Sequence, residues 1–259
     1  MEAPYFKFDG GFIMVPWDQF DEAVEWYREK MGWRLKGTAY TPVGRKAFLK
    51  MPGPGQANLK TFESEIDHFT LKDYAEGNSR FCFCTANLEQ SLEYFEKHGV
   101  KITAPIKMPD GTRSADIFAF GNVRLTLCES RRLEGKFPDS RIIQYATKPL
   151  RLGVSDLEAS VAWYERIFGW ERANKSYQDQ GFVLMRDKMK KWDFAWIEKL
   201  SEGQPAVKAN PGARLYFQIK QQEDLYKTNA WLKEQGIETS EIVGERWKGF
   251  HFYDPDGNR

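Results

Sequence analysis

A long internal repeat constrains this chain more than any other feature of its sequence. The segment Trp26–Trp33 (WYREKMGW) recurs 137 residues later as Trp163–Trp170 (WYERIFGW). Two further matches fall at almost the same spacing, 137 and 136 residues: Gly99-Val100 with Gly236-Ile237, and Gly121-Asn122 with Gly257-Asn258. Self-similarity at a fixed spacing is the signature of a duplicated structural unit. We therefore predict a first domain over 1–133, a polar linker over 134–142 and a second domain over 143–259.

Each predicted domain divides again into two similar modules. Residues 80–85 (RFCFCT) are typical of a strand, and Asn87 can cap the helix that follows them. The same order recurs around Asp156, which can cap a second helix. Modules are expected to begin near four positions: Gly11, Arg80, Leu150 and Arg214. The sequence therefore predicts an α+β fold of four βαβββ modules, paired within each domain so that the sheet face without helices encloses a cleft.

Charge and cysteine content exclude several classes of partner. Lys and Arg number 38 against 37 Asp and Glu, so no strong field draws the chain to nucleic acid or to an anionic membrane. The N-terminal residues lack a signal-peptide pattern, and no apolar run approaches the ~20 residues of a transmembrane helix. Three cysteines do not make a disulfide framework. We predict a cytoplasmic protein, either a monomer or a homodimer.

Two segments carry a resemblance to a known family. Residues 154–170, which read VSDLEASVAWYERIFGW, resemble the opening of a vicinal oxygen chelate module. Residues 252–258 (FYDPDGN) resemble the hairpin that precedes the last strand of such a module, and that strand is expected past residue 259, so the second domain is predicted with its last strand cut short. The resemblance covers essentially the whole chain. Its members include glyoxalase I, methylmalonyl-CoA epimerase, extradiol dioxygenases, thiol transferases that inactivate fosfomycin and metal-free bleomycin-binding proteins.

The resemblance implies a divalent metal in many members, and this sequence departs from that pattern. The family places His or Gln seven residues before the residue that caps the helix, where this chain has Arg80 and Pro149. It places Glu four residues after the hairpin glycine, where Leu125 stands here. Proline and leucine offer no side-chain ligand atom, and a guanidinium group repels a cation. We therefore predict no metal centre and no cofactor.

Histidines and cysteines supply few alternative ligands. The three histidines are His68, His98 and His251, and only His251 lies in a predicted strand where it could reach a cleft. Cys82 and Cys84 share one strand face because side chains alternate along a strand. Their i, i+2 spacing suits a tetrahedral zinc site poorly, so we interpret these thiols and Cys128 as buried structural groups.

Strand alternation identifies the side chains that face the clefts. Leu150, Leu152 and Val154 are uniformly apolar and should pack under a helix, which leaves Arg151 for the cleft. The same argument leaves the first domain a drier cleft formed by Phe12, Met14, Arg80, Cys82 and Cys84, together with Thr61 and Glu63 from a fourth strand. For the second domain it predicts a ligand site that combines aromatic surface with charge: Arg151, Trp196, Glu198, Tyr216, Gln218 and His251.

Three functions are compatible with these residues. The first is a metal-free protein, similar to the bleomycin-binding members, that holds a small, partly aromatic organic ligand in the cleft of the second domain. The second is a divalent-metal-dependent lyase, isomerase or dioxygenase that uses Glu198, His251 and a carboxylate past residue 259. The third is a degenerate interaction scaffold, in which Arg151 and Glu198 only neutralise each other. The sequence does not decide whether the chain catalyses a reaction.

Overall fold

Four modules follow one another in the computed structural model, which describes residues 4–41, 44–62, 78–201, 212–219, 221–244 and 248–259. Module one contains β1 (Lys7–Met14), α1 (Phe20–Met31), β2 (Arg34–Thr41), β3 (Gly44–Lys50) and β4 (Gln56–Phe62). Module two contains β5 (Ser79–Thr85), α2 (Leu88–Lys97), β6 (Ile106–Lys107), β7 (Arg113–Ala119) and β8 (Val123–Glu129).

The second half of the chain repeats this order. Module three contains β9 (Gln144–Val154), α3 (Leu157–Phe168), β10 (Glu171–Asn174), β11 (Phe182–Asp187) and β12 (Trp192–Lys199). Module four contains β13 (Ala213–Gln218) and α4 (Gln222–Glu234), followed in its described residues by the isolated bridges Thr239–Phe252 and Val243–Gly249. The predicted α+β class and four-module organisation are confirmed. Among the described residues, no helix is long and apolar enough to cross a bilayer.

The repeated tryptophans occupy equivalent positions: Trp26 and Trp163 lie in α1 and α3, and Trp33 and Trp170 follow the ends of these helices. Each helix ends at a glycine in the left-handed region, Gly32 with φ 74° and Gly169 with φ 64°. Tyr164 then stacks on Trp170 with ring centroids 4.8 Å apart, and Tyr27 stacks on Trp33 at 5.8 Å. Trp33 and Trp170 directly precede the second strand of their modules, which starts at Arg34 and at Glu171. A helix stop that only glycine adopts without strain, followed by a buried aromatic pair, explains why these residues recur.

The modules pair across the two halves of the chain, which corrects the expectation that neighbours within each half would pair. A five-stranded sheet has the order β13-β1-β4-β3-β2, and an eight-stranded sheet has the order β10-β11-β12-β9-β5-β8-β7-β6. Phe12 lies opposite Arg214 where β1 meets β13, and Arg80 lies opposite Arg151 where β5 meets β9. Module one therefore joins module four, and module two joins module three.

Residues 130–143 connect modules two and three, and this short connection is compatible with the pairing of β5 and β9. β9 starts at Gln144 and runs antiparallel to β5, with Tyr145 opposite Phe83 and Gln144 opposite Cys84. Backbone hydrogen bonds of this kind form between any two compatible edges, so the repeat in the sequence identifies similar modules without identifying their partners. The boundaries 1–133, 134–142 and 143–259 remain predictions about the duplication, since each sheet draws strands from both halves.

Candidate functional site

The cleft of the eight-stranded sheet lies on the face that its helices leave uncovered. Apolar neighbours of each cleft residue, such as Phe81, Leu152 and Ile197, belong to the core cluster on the opposite face. Arg151 lies opposite Arg80 on one side and Trp196 on the other, because β9 pairs with both β5 and β12. Strands β5, β7, β8, β9 and β12 line this face with polar groups and thiols: Arg80, Cys82, Ser114, Asp116, Thr126, Cys128, Arg151 and Glu198.

The six residues predicted to form one ligand site do not come together: five divide between two sheets, and His251 lies in the C-terminal segment, outside a strand. The structure brings Arg151, Trp196 and Glu198 together in the eight-stranded cleft, as strand alternation predicted. Tyr216 and Gln218 lie on β13 of the five-stranded sheet, so the expected shared cavity of Arg151 with Gln218 is wrong. Module three pairs with module two, so its strands lie in a different sheet from those of module four. A ligand-binding role for these residues remains a prediction.

A buried network of ion pairs forms the floor of the eight-stranded cleft. Arg80, fully buried, donates from Nη1 to Asp116 Oδ2 at 3.0 Å and from Nη2 to Glu198 Oε1. Arg151 donates from Nε to Glu198 Oε2. Arg124 donates from Nε to Asp116 Oδ2 at 2.7 Å. Three guanidinium groups thus share two carboxylates, and the pairing of Arg151 with Glu198 that was one of the predicted alternatives is present.

The electrostatics of this floor favour the ionised carboxylates. Burial raises the pKa of Asp116, but Arg80, Arg124 and Arg151 outweigh that effect and hold the pKa at about 2. Burial likewise opposes the charge of Arg80, while Glu198 and Asp116 raise its pKa above the ordinary value. Buried charges persist only where partners of opposite sign and hydrogen bonds compensate their lost hydration. Removing a carboxylate from this floor should therefore cost more than removing one from the surface.

Stability should fall in acid as Asp116 becomes protonated. A carboxyl with a folded pKa of about 2 and an unfolded pKa near 3.9 contributes stability that is complete above pH ~4 and is lost as pH falls toward 2. The shift corresponds to about 2–3 kcal/mol. Urea unfolding between pH 2 and 5 measures the loss. Asp116→Asn removes this titration, so an equally steep acid slope in that variant would contradict the assignment.

These residues do not fit a divalent metal. Both oxygens of Glu198 accept hydrogen bonds from arginines, and Asp116 Oδ1 accepts one from Thr126 at 2.6 Å. Guanidinium groups occupy the positions beside these carboxylates where a cation would have to lie. In the part of the chain that the structure describes, no group of three His, Cys, Asp or Glu side chains could hold a metal ion. Glu198 is engaged by arginines while His251 contacts Arg259, so the predicted set of Glu198 with His251 is not assembled.

A cavity of about 260 Å³ opens above this floor. Its apolar side consists of Met108 and Trp196, which pack with Leu184 in a cluster separate from the main core. Lys148 lines it as well, and its Nζ lies 2.6 Å from Asp110 and 5.6 Å from the centroid of the Trp196 ring. Ser114 also lines the cavity, and its buried Oγ has no hydrogen-bond partner in the described structure.

The three cysteines line the same cavity, and two of them, Cys84 and Cys128, are held in the thiol form. Cys84 lies opposite Cys128 where β5 and β8 run parallel. Burial, with Cys82 nearby, raises the pKa of Cys84 to about 12, and a hydrogen bond with Cys82 followed by burial raises that of Cys128. Protonated thiols are weak nucleophiles and weak metal ligands. The geometry therefore supports the interpretation of these residues as structural thiols on a cavity wall.

The corresponding face of the five-stranded sheet has a different character. Phe12 and Tyr216 are in edge-to-face contact at 5.7 Å, and Lys46 lies opposite Lys60 where β3 pairs with β4. Gln218 donates to Asp9 Oδ2 at 2.6 Å at one end of β13. His251 lies 2.9 Å from Arg259.

The predicted cleft residue of β4, Thr61, is wrong by one position. Leu59 of β4 lies opposite core residue Ile13 of β1, so Thr61, two residues on, faces the core side. Lys60 faces the cleft instead, because a one-residue slip exchanges the two faces of a strand. Glu63 and His68 lie outside the described residues.

Sequence reasoning missed several cleft residues that alternation could have found. Ala115 and Ile117 of β7 are core residues, which places Ser114 and Asp116 on the cleft face. Ala47 and Leu49 of β3 place Lys46 there in the same way. Met108 lies in a connection and carries no such signal, so only the folded chain reveals it.

Comparisons with known proteins agree with this architecture. The family model for the Glyoxalase/Bleomycin resistance protein/Dioxygenase superfamily matches residues 11–120 and 142–259. A proposed dioxygenase from Bacillus subtilis superposes with a TM-score of 0.64 at 14% identity, covering 99% of this chain and 84% of that protein. Glyoxalase I from Zea mays gives 0.61 at 19% identity, covering 98% and 91%. These identities show a shared fold alone, and no curated protein sequence matches significantly. With both halves matched by its family model, the chain belongs to the glyoxalase/bleomycin resistance protein/dioxygenase superfamily.

Proposed function

We propose that this protein binds a small, partly aromatic organic molecule in the cavity of the eight-stranded sheet, without a divalent metal on the cavity floor. The observation that carries the proposal is the Ser114 hydroxyl, which is fully buried, lines the cavity and has no hydrogen-bond partner in the described structure. An unsatisfied buried hydroxyl costs free energy that a polar ligand atom can recover.

The surroundings of Ser114 define the chemistry of the ligand. A volume of about 260 Å³ lies just below the ~300–1,000 Å³ of pockets that hold drug-sized molecules, so the ligand should be small. Trp196 and Met108 offer an apolar surface for a ring. The guanidinium groups on the floor are engaged by carboxylates and the Lys148 ammonium group by Asp110, so the Ser114 hydroxyl is the group proposed to orient the ligand. A neutral aromatic carbonyl compound matches these features.

Replacing Ser114 with alanine separates binding from folding. Titration calorimetry with benzamide should show about 2- to 10-fold weaker binding to Ser114→Ala, the usual net worth of one hydrogen bond. The melting temperature should hold or rise, because the variant removes an unsatisfied polar group. Ser160→Ala is the matched control, since its buried Oγ donates to Asp256 at 2.7 Å. That control should lower the melting temperature and leave benzamide binding unchanged.

The other functions predict different results in the same experiments. A metal-dependent enzyme would retain a stoichiometric divalent metal when purified without chelators, and elemental analysis detects it. An interaction scaffold would show no binding of benzamide or of related aromatic amides, ketones and phenols. Equal binding of benzamide by the wild type and Ser114→Ala would contradict the assigned role of the hydroxyl. A cytoplasmic location and a monomeric or dimeric state remain predictions from composition.

A further inference from the structure

Four cationic side chains converge on the cleft face of the five-stranded sheet. Lys46 and Lys60 are direct neighbours across β3 and β4, and Lys60 also lies opposite Met14 of β1. Arg214 follows on β13, where it lies opposite Phe12. Arg259 approaches from the C-terminal segment closely enough to affect the pKa values of both Lys60 and Arg214. We call these four residues, Lys46, Lys60, Arg214 and Arg259, the cationic cleft.

Aromatic rings surround these charges. Lys60 Nζ lies 4.8 Å from the ring centroid of Phe12 and 4.5 Å from that of Phe62. Lys46 Nζ lies 5.7 Å from the centroid of Phe12, and Tyr216 contacts the edge of the same ring. Rings at this distance stabilise an ammonium group and offer a surface for stacking. This face of the sheet therefore combines positive charge with an aromatic surface.

The charges around Lys60 repel one another. Burial and the neighbouring Lys46, Arg214 and Arg259 lower the pKa of Lys60 to about 7. Burial and Arg259 also lower the pKa of Arg214. Tyr253 lies near both arginines, His251 contacts Arg259, and Asp9 lies beside Gln218 at the end of β13. A bound oxyanion would relieve the repulsion, whereas a metal cation would increase it.

We infer that the cationic cleft binds a small aromatic oxyanion, a carboxylate or a phosphate monoester, with its charged group between Lys60 and Arg214. Guanidinium and ammonium groups are the usual partners of carboxylate and phosphate oxygens. The Phe12 and Tyr216 rings would contact the aromatic body. The inference does not depend on the ligand proposed for the eight-stranded cleft, because none of these residues lines that cavity.

Titration calorimetry with phenyl phosphate, benzoate and inorganic phosphate tests this inference. Phenyl phosphate should bind more tightly than inorganic phosphate, because only the former presents a ring, and its comparison with benzoate identifies the preferred anion. Lys60→Met and Lys46→Met should each weaken phenyl phosphate binding at least 10-fold. Lys97→Met, which removes an exposed lysine at the end of α2, is the charge-matched control and should bind like the wild type. Ser114→Ala should also bind phenyl phosphate normally.

Proton uptake provides a second measurement. Lys60 is mostly neutral above pH 7 in the free protein, and a bound anion raises its pKa. Binding of benzoate, which is ionised at both pH values, should therefore take up close to one proton at pH 8 and almost none at pH 6, as read from calorimetry in buffers of different ionisation enthalpy. Lys60→Met should abolish the uptake and should fold, because it removes a buried repulsive charge. Undetectable phenyl phosphate binding, or equal binding and uptake in Lys60→Met, would overturn the inference.

Discussion

Glu198→Gln should destabilise the fold by about 3–5 kcal/mol, the usual cost of removing one partner from a buried ion-pair network. Among the described residues, the substitution leaves the buried guanidinium groups of Arg80 and Arg151 with Asp116 as the remaining carboxylate on the floor of the cleft. Urea unfolding at pH 7 measures the change. The loss should be independent of any ligand, because it arises from stranded charge and not from a missing contact.

An exposed pair of the same residue types serves as the control. Arg28 and Glu25 lie 2.7 Å apart with side chains 44% and 57% exposed. Glu25→Gln should therefore change stability by less than about 1 kcal/mol. In a double-mutant cycle, Glu198→Gln combined with Arg151→Met should cost clearly less than the sum of the two single changes, because it removes both charges together. Similar losses for Glu198→Gln and Glu25→Gln would show that the floor is not the compensated network described above.

Gly11→Ala should destabilise the protein by about 3 kcal/mol or more, at the upper end of the cost of overpacking. A β-carbon at Gly11 would lie 2.2 Å from the Arg214 carbonyl oxygen and 2.4 Å from the Phe81 ring. The first of these atoms belongs to the backbone of β13, so the strand itself would have to move away from β1. This strand pair joins modules one and four, and thermal unfolding should therefore show a lower melting temperature.

Gly37→Ala is the matched control for this prediction. Gly37 also lies in a strand of the five-stranded sheet, and an added β-carbon there would meet nothing within 4 Å. Residues other than glycine can adopt its backbone conformation. Alanine should therefore be neutral or stabilise the protein by up to about 1 kcal/mol, because it restricts the unfolded chain. A Gly11→Ala variant as stable as Gly37→Ala would disprove the close approach of β1, β13 and Phe81.

Alternation and helix signals in the sequence predicted the local structure well. Asn87 and Asp156 cap α2 and α3 through their side chains, as predicted. The apolar residues of β9 are in the core, and Arg151 is on the opposite face with Trp196 and Glu198. These features depend on residues close together in the chain, whose chemistry directly determines the capping hydrogen bonds and the buried face of each strand.

Pairing between modules could not be predicted in this way. Arg80 and the cysteines were assigned to one cleft and Arg151 to another, yet β5 and β9 lie side by side in one sheet. Tyr216 and Gln218 were assigned beside Arg151 and lie on the other sheet. The hydrogen bonds that join two sheet edges are made by backbone groups. These groups are the same in every module, so the repeated side chains do not indicate which edges pair.

The sequence by itself determined the four modules, the helix caps and, in strands such as β9, the face on which each side chain lies. Only the tertiary structure decided that Arg80, Arg124, Arg151, Asp116 and Glu198 would meet on one floor, or that four cations would share the other cleft. Local patterns follow from the geometry of one strand or helix. Charge networks follow from which distant strands become neighbours, and that depends on how whole surfaces pack together.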